Sequence, residues 1–67
     1  MEFALNTEYI ELNKLLKLMQ LTQTGGEANI SIMEGEVKVN GTVAHEKRKK
    51  IRKGDIVSFR KKTVKVL

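Results

Sequence analysis

The chain has 67 residues, with 13 Lys or Arg against 8 Asp or Glu for a formal net charge of +5, one histidine, no cysteine and no proline. That length makes one domain, residues 1–67, with a thin core, because so small a chain hides only ~60% of its unfolded surface. Deep catalytic pockets are hard to build at that size, and without cysteine there are no disulfides, thiolate metal sites or thiol nucleophiles.

The first element in chain order is a short candidate strand end in "EYIE". In "LNKLLKLMQL" the apolar residues Leu12, Leu15, Leu16 and Met19 fall at i, i+3, i+4 and i+7. That spacing predicts one buried helical face, with Asn13, Lys14 and Lys17 turned away from it. A second helix is predicted in "TGGEANISIMEG". Thr24 can cap it, and Glu27, three residues on, can close a capping box. Ala28 and Ile32 share its inner face with Ile30 and Met33 flanking, and Gly35 stands where a left-handed residue would end it. Two helices joined by about four residues pack as a helix-turn-helix-like pair.

From Glu36 the hydrophobic period changes to two. Val37 and Val39 alternate with Glu36 and Lys38, and Asn40-Gly41 predicts a tight hairpin returning through Thr42 and Val43. Another turn is expected at Lys53-Gly54-Asp55. Val57 and Phe59 then face opposite to Ser58 and Arg60, and Val64 and Val66 opposite to Thr63 and Lys65. The expected class is α+β, two short helices packed on a small, mainly antiparallel sheet.

Charge is distributed unevenly along these elements. Residues 1–37 hold two lysines against six glutamates, a balance of −4, whereas residues 38–67 hold eleven Lys or Arg against two acids, a balance of +9. Six of the seven side chains from Lys47 to Lys53 are Lys or Arg, the exception being Ile51. A field of this kind selects polyanions, nucleic acid first and anionic membrane second. No apolar stretch approaches the ~20 residues of a membrane span, and the amino end lacks the layout of a signal peptide. Together with the absent disulfides, this leads to the expectation of a cytoplasmic protein.

"AxxxIxxGxVxVNG", filled by Ala28, Ile32, Gly35, Val37, Val39, Asn40 and Gly41, is similar to the core of the S4-type RNA-binding domain. The upstream "LNKLLKL" and the downstream Gly54-Asp55 fall where that pattern expects them. The resemblance spans roughly residues 8–57, with the short stand-alone bacterial members, which carry "GG" before the alanine, as the nearest match. It implies the S4-like fold with its αL motif, and an RNA-binding surface on the two helices and their connecting loop, helped by basic residues near the hairpin. By position these are Lys14, Lys17, Gln23, Thr24 and Lys38, with Lys47, Arg48, Lys49, Lys50, Arg52 and Lys53 of the basic run. Many members have Ser-Arg where Thr24-Gly25 stands here, and a basic residue where Asn29 stands. Those departures shift the load toward residues 47–53.

Nothing in the sequence converges on catalysis. His45 has no partner residues for a metal, and Glu34 and Glu36 straddle Gly35 without a serine, histidine or lysine constellation. No cofactor and no small-molecule substrate are expected. The only aromatics are Phe3, Tyr9 and Phe59, whereas single-strand binders stack bases on aromatic side chains. A Lys-rich, aromatic-poor surface suits phosphates held in fixed geometry. The expected function is therefore non-enzymatic binding of structured RNA by a monomer, with ribosomal RNA and the ribosome as the first candidates. The alternative is a protein-interaction adaptor whose basic face docks on an acidic or ribosome-associated partner. A membrane-surface role lacks an amphipathic anchor.

Overall fold

Three segments with a two-residue period follow the helices, and pairing them edge to edge gives the sheet on which the helices rest. The computed structural model describes residues 1–67. Its elements in order are β1 (Glu2–Phe3), β2 (Ile10–Glu11), α1 (Leu12–Leu18), α2 (Gly25–Met33), β3 (Val37–Val39), β4 (Thr42–Val43), β5 (Lys50–Ile51), β6 (Ile56–Phe59) and β7 (Lys62–Val66). One sheet has the order β1-β7-β6-β3-β4, antiparallel throughout except for the parallel pair β1–β7. The α+β class is as the hydrophobic pattern predicts.

Two strand features go beyond that pattern. β1 lies along β7, with Glu2 opposite Lys65 and Phe3 opposite Val66. A second sheet of only two strands forms between β2 and β5, with Ile10 opposite Ile51 and Glu11 opposite Lys50. The "EYIE" strand end thus finds its partner inside the basic run.

α1 buries Leu12, Leu15 and Leu16, and α2 buries Ala28, Ser31 and Ile32. The apolar ones among these pack with Val37, Val39, Ile51, Val57, Phe59 and Val66 in one apolar cluster, against which Met19 is half-buried. Ile30 and Met33 do not flank this interface as the sequence suggests. They are 60% and 61% exposed, because the buried stripe of α2 is narrow and runs through Ser31 instead. The connection between the helices is also longer than expected, six residues from 19 to 24.

Both helices end on a left-handed residue, Gln20 (φ 59°) after α1 and Gly35 (φ 79°) after α2. In each case an N–H reaches back five residues, Leu21 to the Leu16 carbonyl and Glu36 to the Ser31 carbonyl, both at 3.0 Å. This satisfies carbonyls that the helix leaves open. At the start of α2 the Thr24 hydroxyl accepts from the Glu27 N–H (3.1 Å). The Glu27 carboxylate accepts from the Gln23 N–H (2.6 Å), one residue before the position a standard capping box uses.

Asn40 (φ 52°) and Gly41 (φ 84°) both take positive φ in the two-residue loop between β3 and β4, the requirement of a type I′ turn. A Cβ on Gly41 would meet no atom within 4 Å, so any cost of substitution there is conformational and not steric. Gly41→Val should lose about 1–3 kcal/mol through the strained backbone. Thr24→Ala should lose ~1 kcal/mol through its cap. Thermal melts of the two variants beside the parent check both, and coincident curves would contradict the turn and cap roles.

Candidate nucleic-acid interface

The basic run is an ordered turn and not a loose loop. The Lys49 N–H donates to the Glu46 carbonyl (3.2 Å), which places Lys47 and Arg48 at the tip. Helix α1 has no side-chain cap at Glu11. Its opening N–H groups donate instead to main-chain carbonyls of the run, Leu12 to Lys49 (2.9 Å) and Asn13 to Lys47 (3.0 Å). Donors that a helix start leaves unmade are thereby satisfied by the basic segment itself. Ile51 is fully buried in the core. Pinned at both places, the run presents Lys47, Arg48, Lys49, Lys50, Arg52 and Lys53 outward, all exposed.

The following turn is tied to the hairpin by two polar side chains. Asn40 donates through Nδ2 to Asp55 Oδ1 (3.0 Å), and its Oδ1 accepts from the Ile56 N–H (2.9 Å). Asp55 Oδ2 accepts from the Arg52 N–H (2.8 Å). The Asn of "VNG" and the Asp of "GD" therefore act on each other. They hold the end of the basic run against β3 and β6.

Compensating acid is scarce. The chain forms two ion pairs, Arg52 with Glu8 (3.6 Å) and Arg60 with Glu36 (3.4 Å), both involving exposed side chains. Lys47, Arg48, Lys49, Lys50 and Lys53 have no carboxylate within ion-pair distance. Clustered like charge without counter-charge repels itself until an anion arrives.

The other expected contact residues are dispersed around this turn. Lys14 is exposed on α1 and lines a groove with Tyr9, Glu8 and Glu11. Lys17 and Gln23 border a separate shallow groove with Gln20 and Thr22 at the helix connection. The exposed Thr24 uses its hydroxyl in the α2 cap. Lys38 is on β3 and not on a helix. It lies across from Ser58 on the outer face of the large sheet, in a groove with Arg60, Lys61 and Thr63. Asn29, which replaces the usual basic residue, accepts through Oδ1 from Asn13 Nδ2 (3.0 Å) and so links α2 to α1. Helix α2 contains no Lys or Arg, and its outer side carries Glu27, Ile30 and Met33.

Tyr9 is the residue that sequence reasoning passed over. The Lys50 ammonium lies 4.9 Å from its ring centroid, and the Arg52 guanidinium carbon 5.8 Å. Both distances are within the range of cation–π attraction. Its signal in the sequence was only that of one tyrosine next to a two-residue strand.

The family model for the S4 domain matches residues 3–67. The chain belongs to the S4 domain family. This S4 domain is 46% identical over 59 residues to YbcJ of Escherichia coli (strain K12), an alignment covering 88% of this chain and 84% of YbcJ. It is 37% identical over 56 residues to a Bacillus subtilis (strain 168) protein named "probable ribosome maturation protein RlbA", covering 84% of this chain and 79% of that one. The solution structure of YbcJ from E. coli, described as revealing an αL motif involved in RNA-binding, superposes with a TM-score of 0.77 at 43% identity. It covers 98% of this chain and 85% of that one. The fold and the αL arrangement expected from the sequence are those of this S4 domain. No group of three or more His, Cys, Asp or Glu could hold a metal ion, and no helix is long and apolar enough to cross a membrane.

Proposed function

We propose that this S4 domain binds structured RNA without catalysing a reaction, holding phosphates in the turn of residues 47–53 beside α1. The observation that carries this reading is the pinned basic turn, whose backbone is fixed by α1 and by Ile51 while all of its cations but Arg52 are left without acid partners. Each phosphate that such a cation neutralises releases counterions, which supplies affinity with little sequence preference. The α2 face has no cation and so contributes no attraction for phosphate. Likeness to YbcJ supports RNA as the ligand, and likeness to RlbA supports RNA of the ribosome or its precursors. On this reading the protein acts in the cytoplasm as a monomer.

The test is a titration with three ligands of equal length, an RNA hairpin, an RNA single strand and duplex DNA, at two salt concentrations. The hairpin should bind best, because the single strand must be ordered on binding and DNA lacks A-form geometry and the 2′-hydroxyl. With about four to six phosphate contacts, the slope of log K against log salt should be roughly −4 to −5. Equal affinity for all three would reduce the surface to a generic basic patch, and preference for the single strand would refute the fixed-geometry argument. Purification free of RNA but with a stoichiometric acidic protein would favour the adaptor reading.

A further inference from the structure

A phosphate clamp needs cations alone, yet the clamp here adjoins an exposed ring and an apolar groove. Tyr9 is 39% exposed, with Lys50 and Arg52 over its ring. The ring borders a groove of about 580 Å³ whose walls include Phe3, Leu5, Lys14 and Leu18. Leu18 is 60% exposed on the last turn of α1, so the groove offers apolar surface to solvent beside the ring. Its rim is fixed, because the Thr7 hydroxyl donates to the Tyr9 carbonyl (2.9 Å) and β2 is paired with β5. Glu8 and Glu11 also line it. Glu8 is engaged by Arg52, and Glu11 stands opposite Lys50 in the two-stranded sheet.

We propose that this groove receives one unpaired nucleotide of the bound RNA, its base against Tyr9 and Leu18 and its flanking phosphates on Lys14 and Lys50. An aromatic face stacks any base, and neighbouring cations neutralise the phosphates on either side. Phe59 is buried and Phe3 only partly exposed, so Tyr9 is the single platform and one base is the limit. The proposal rests on the RNA-binding reading above. It narrows the ligand from structured RNA to a helix carrying an unpaired nucleotide beside it.

The experiment uses the full chain and two RNA hairpins of identical stem and loop, one with a single bulged 2-aminopurine. The bulged hairpin should bind about tenfold tighter, and its 2-aminopurine fluorescence should change on binding. Tyr9→Leu, which keeps apolar bulk without a π face, should abolish both the preference and the fluorescence change. Its effect on the paired hairpin should be much smaller than on the bulged one, since the phosphate-binding cations remain. Tyr9→Phe should behave as the parent, and circular dichroism checks that each variant is folded. Equal binding of the two hairpins by the parent would overturn the base site while leaving the RNA reading intact. Failure to bind either would overturn both. If Tyr9→Leu weakens the two hairpins equally, the ring only positions Lys50 and Arg52, and the base site is likewise refuted.

Discussion

Replacing Lys47, Arg48, Lys49 and Lys50 together by alanine should weaken binding to an RNA hairpin roughly tenfold or more at moderate salt, and flatten its salt dependence. Each lost phosphate contact removes about one unit from the slope of log K against log salt, so the variant should retain a slope nearer −1 than −4. Stability should hardly move, because none of the four side chains is in an ion pair and all are exposed. What the fold requires from this segment is its main chain, whose Lys47 and Lys49 carbonyls accept from α1. Alanine preserves those carbonyls. Only Lys50 has a side-chain contact to lose, the one over Tyr9. Matching circular dichroism and melting, with an unaltered salt slope and affinity, would refute the clamp.

What was legible in the sequence is what local spacing encodes. The face of α1, the Thr24 cap, the Asn40-Gly41 turn and the alternation in β6 and β7 each arise within a few residues, and side-chain type alone reports them. The features missed depend on backbone groups distant in the chain. A carbonyl at Lys49 capping Leu12 leaves no trace in residue type, since any residue supplies a carbonyl. β1 is two residues long and pairs with the opposite end of the chain, so it has no period to detect. Ile51 looked like an interruption of a charge run, and only the pairing of β5 with β2 explains why an isoleucine is there. Asn40 and Asp55 were visible as motif residues, but their mutual hydrogen bond requires that two turns meet. Ile30 and Met33 show the opposite error, apolar residues expected to flank the inner face that the narrow stripe of α2 leaves in solvent. For the interface, the charge run was legible and its rigidity was not, and rigidity is what distinguishes a phosphate site from a solvated loop.

That distinction makes Ile51 the most sensitive position in the basic run. Ile51→Ala should cost about 2–5 kcal/mol, the usual range for truncating a fully buried isoleucine, from a total that at roughly 0.05–0.15 kcal/mol per residue is only on the order of 3–10 kcal/mol for so short a chain. Melting should fall by roughly 10 °C or more, as about 1 kcal/mol moves a domain of this size by 4–8 °C. The damage should extend to binding, because Ile51 lies between the two segments that fix the run, the β2 pairing at Ile10 and the Arg52 N–H held by Asp55. With that anchor loosened, holding the six cations in register against phosphates costs chain entropy that the parent has already lost on folding. RNA affinity should therefore drop even well below the melting temperature, although no charge has been removed and the salt slope stays near that of the parent. Ile56→Ala is the control. Ile56 is 41% exposed on β6, and its truncation should have little effect on melting or on binding. If Ile51→Ala melts with the parent, the run is not anchored through the core. If it melts lower yet binds RNA as the parent does at low temperature, anchoring serves stability alone, and the cations find their phosphates without it.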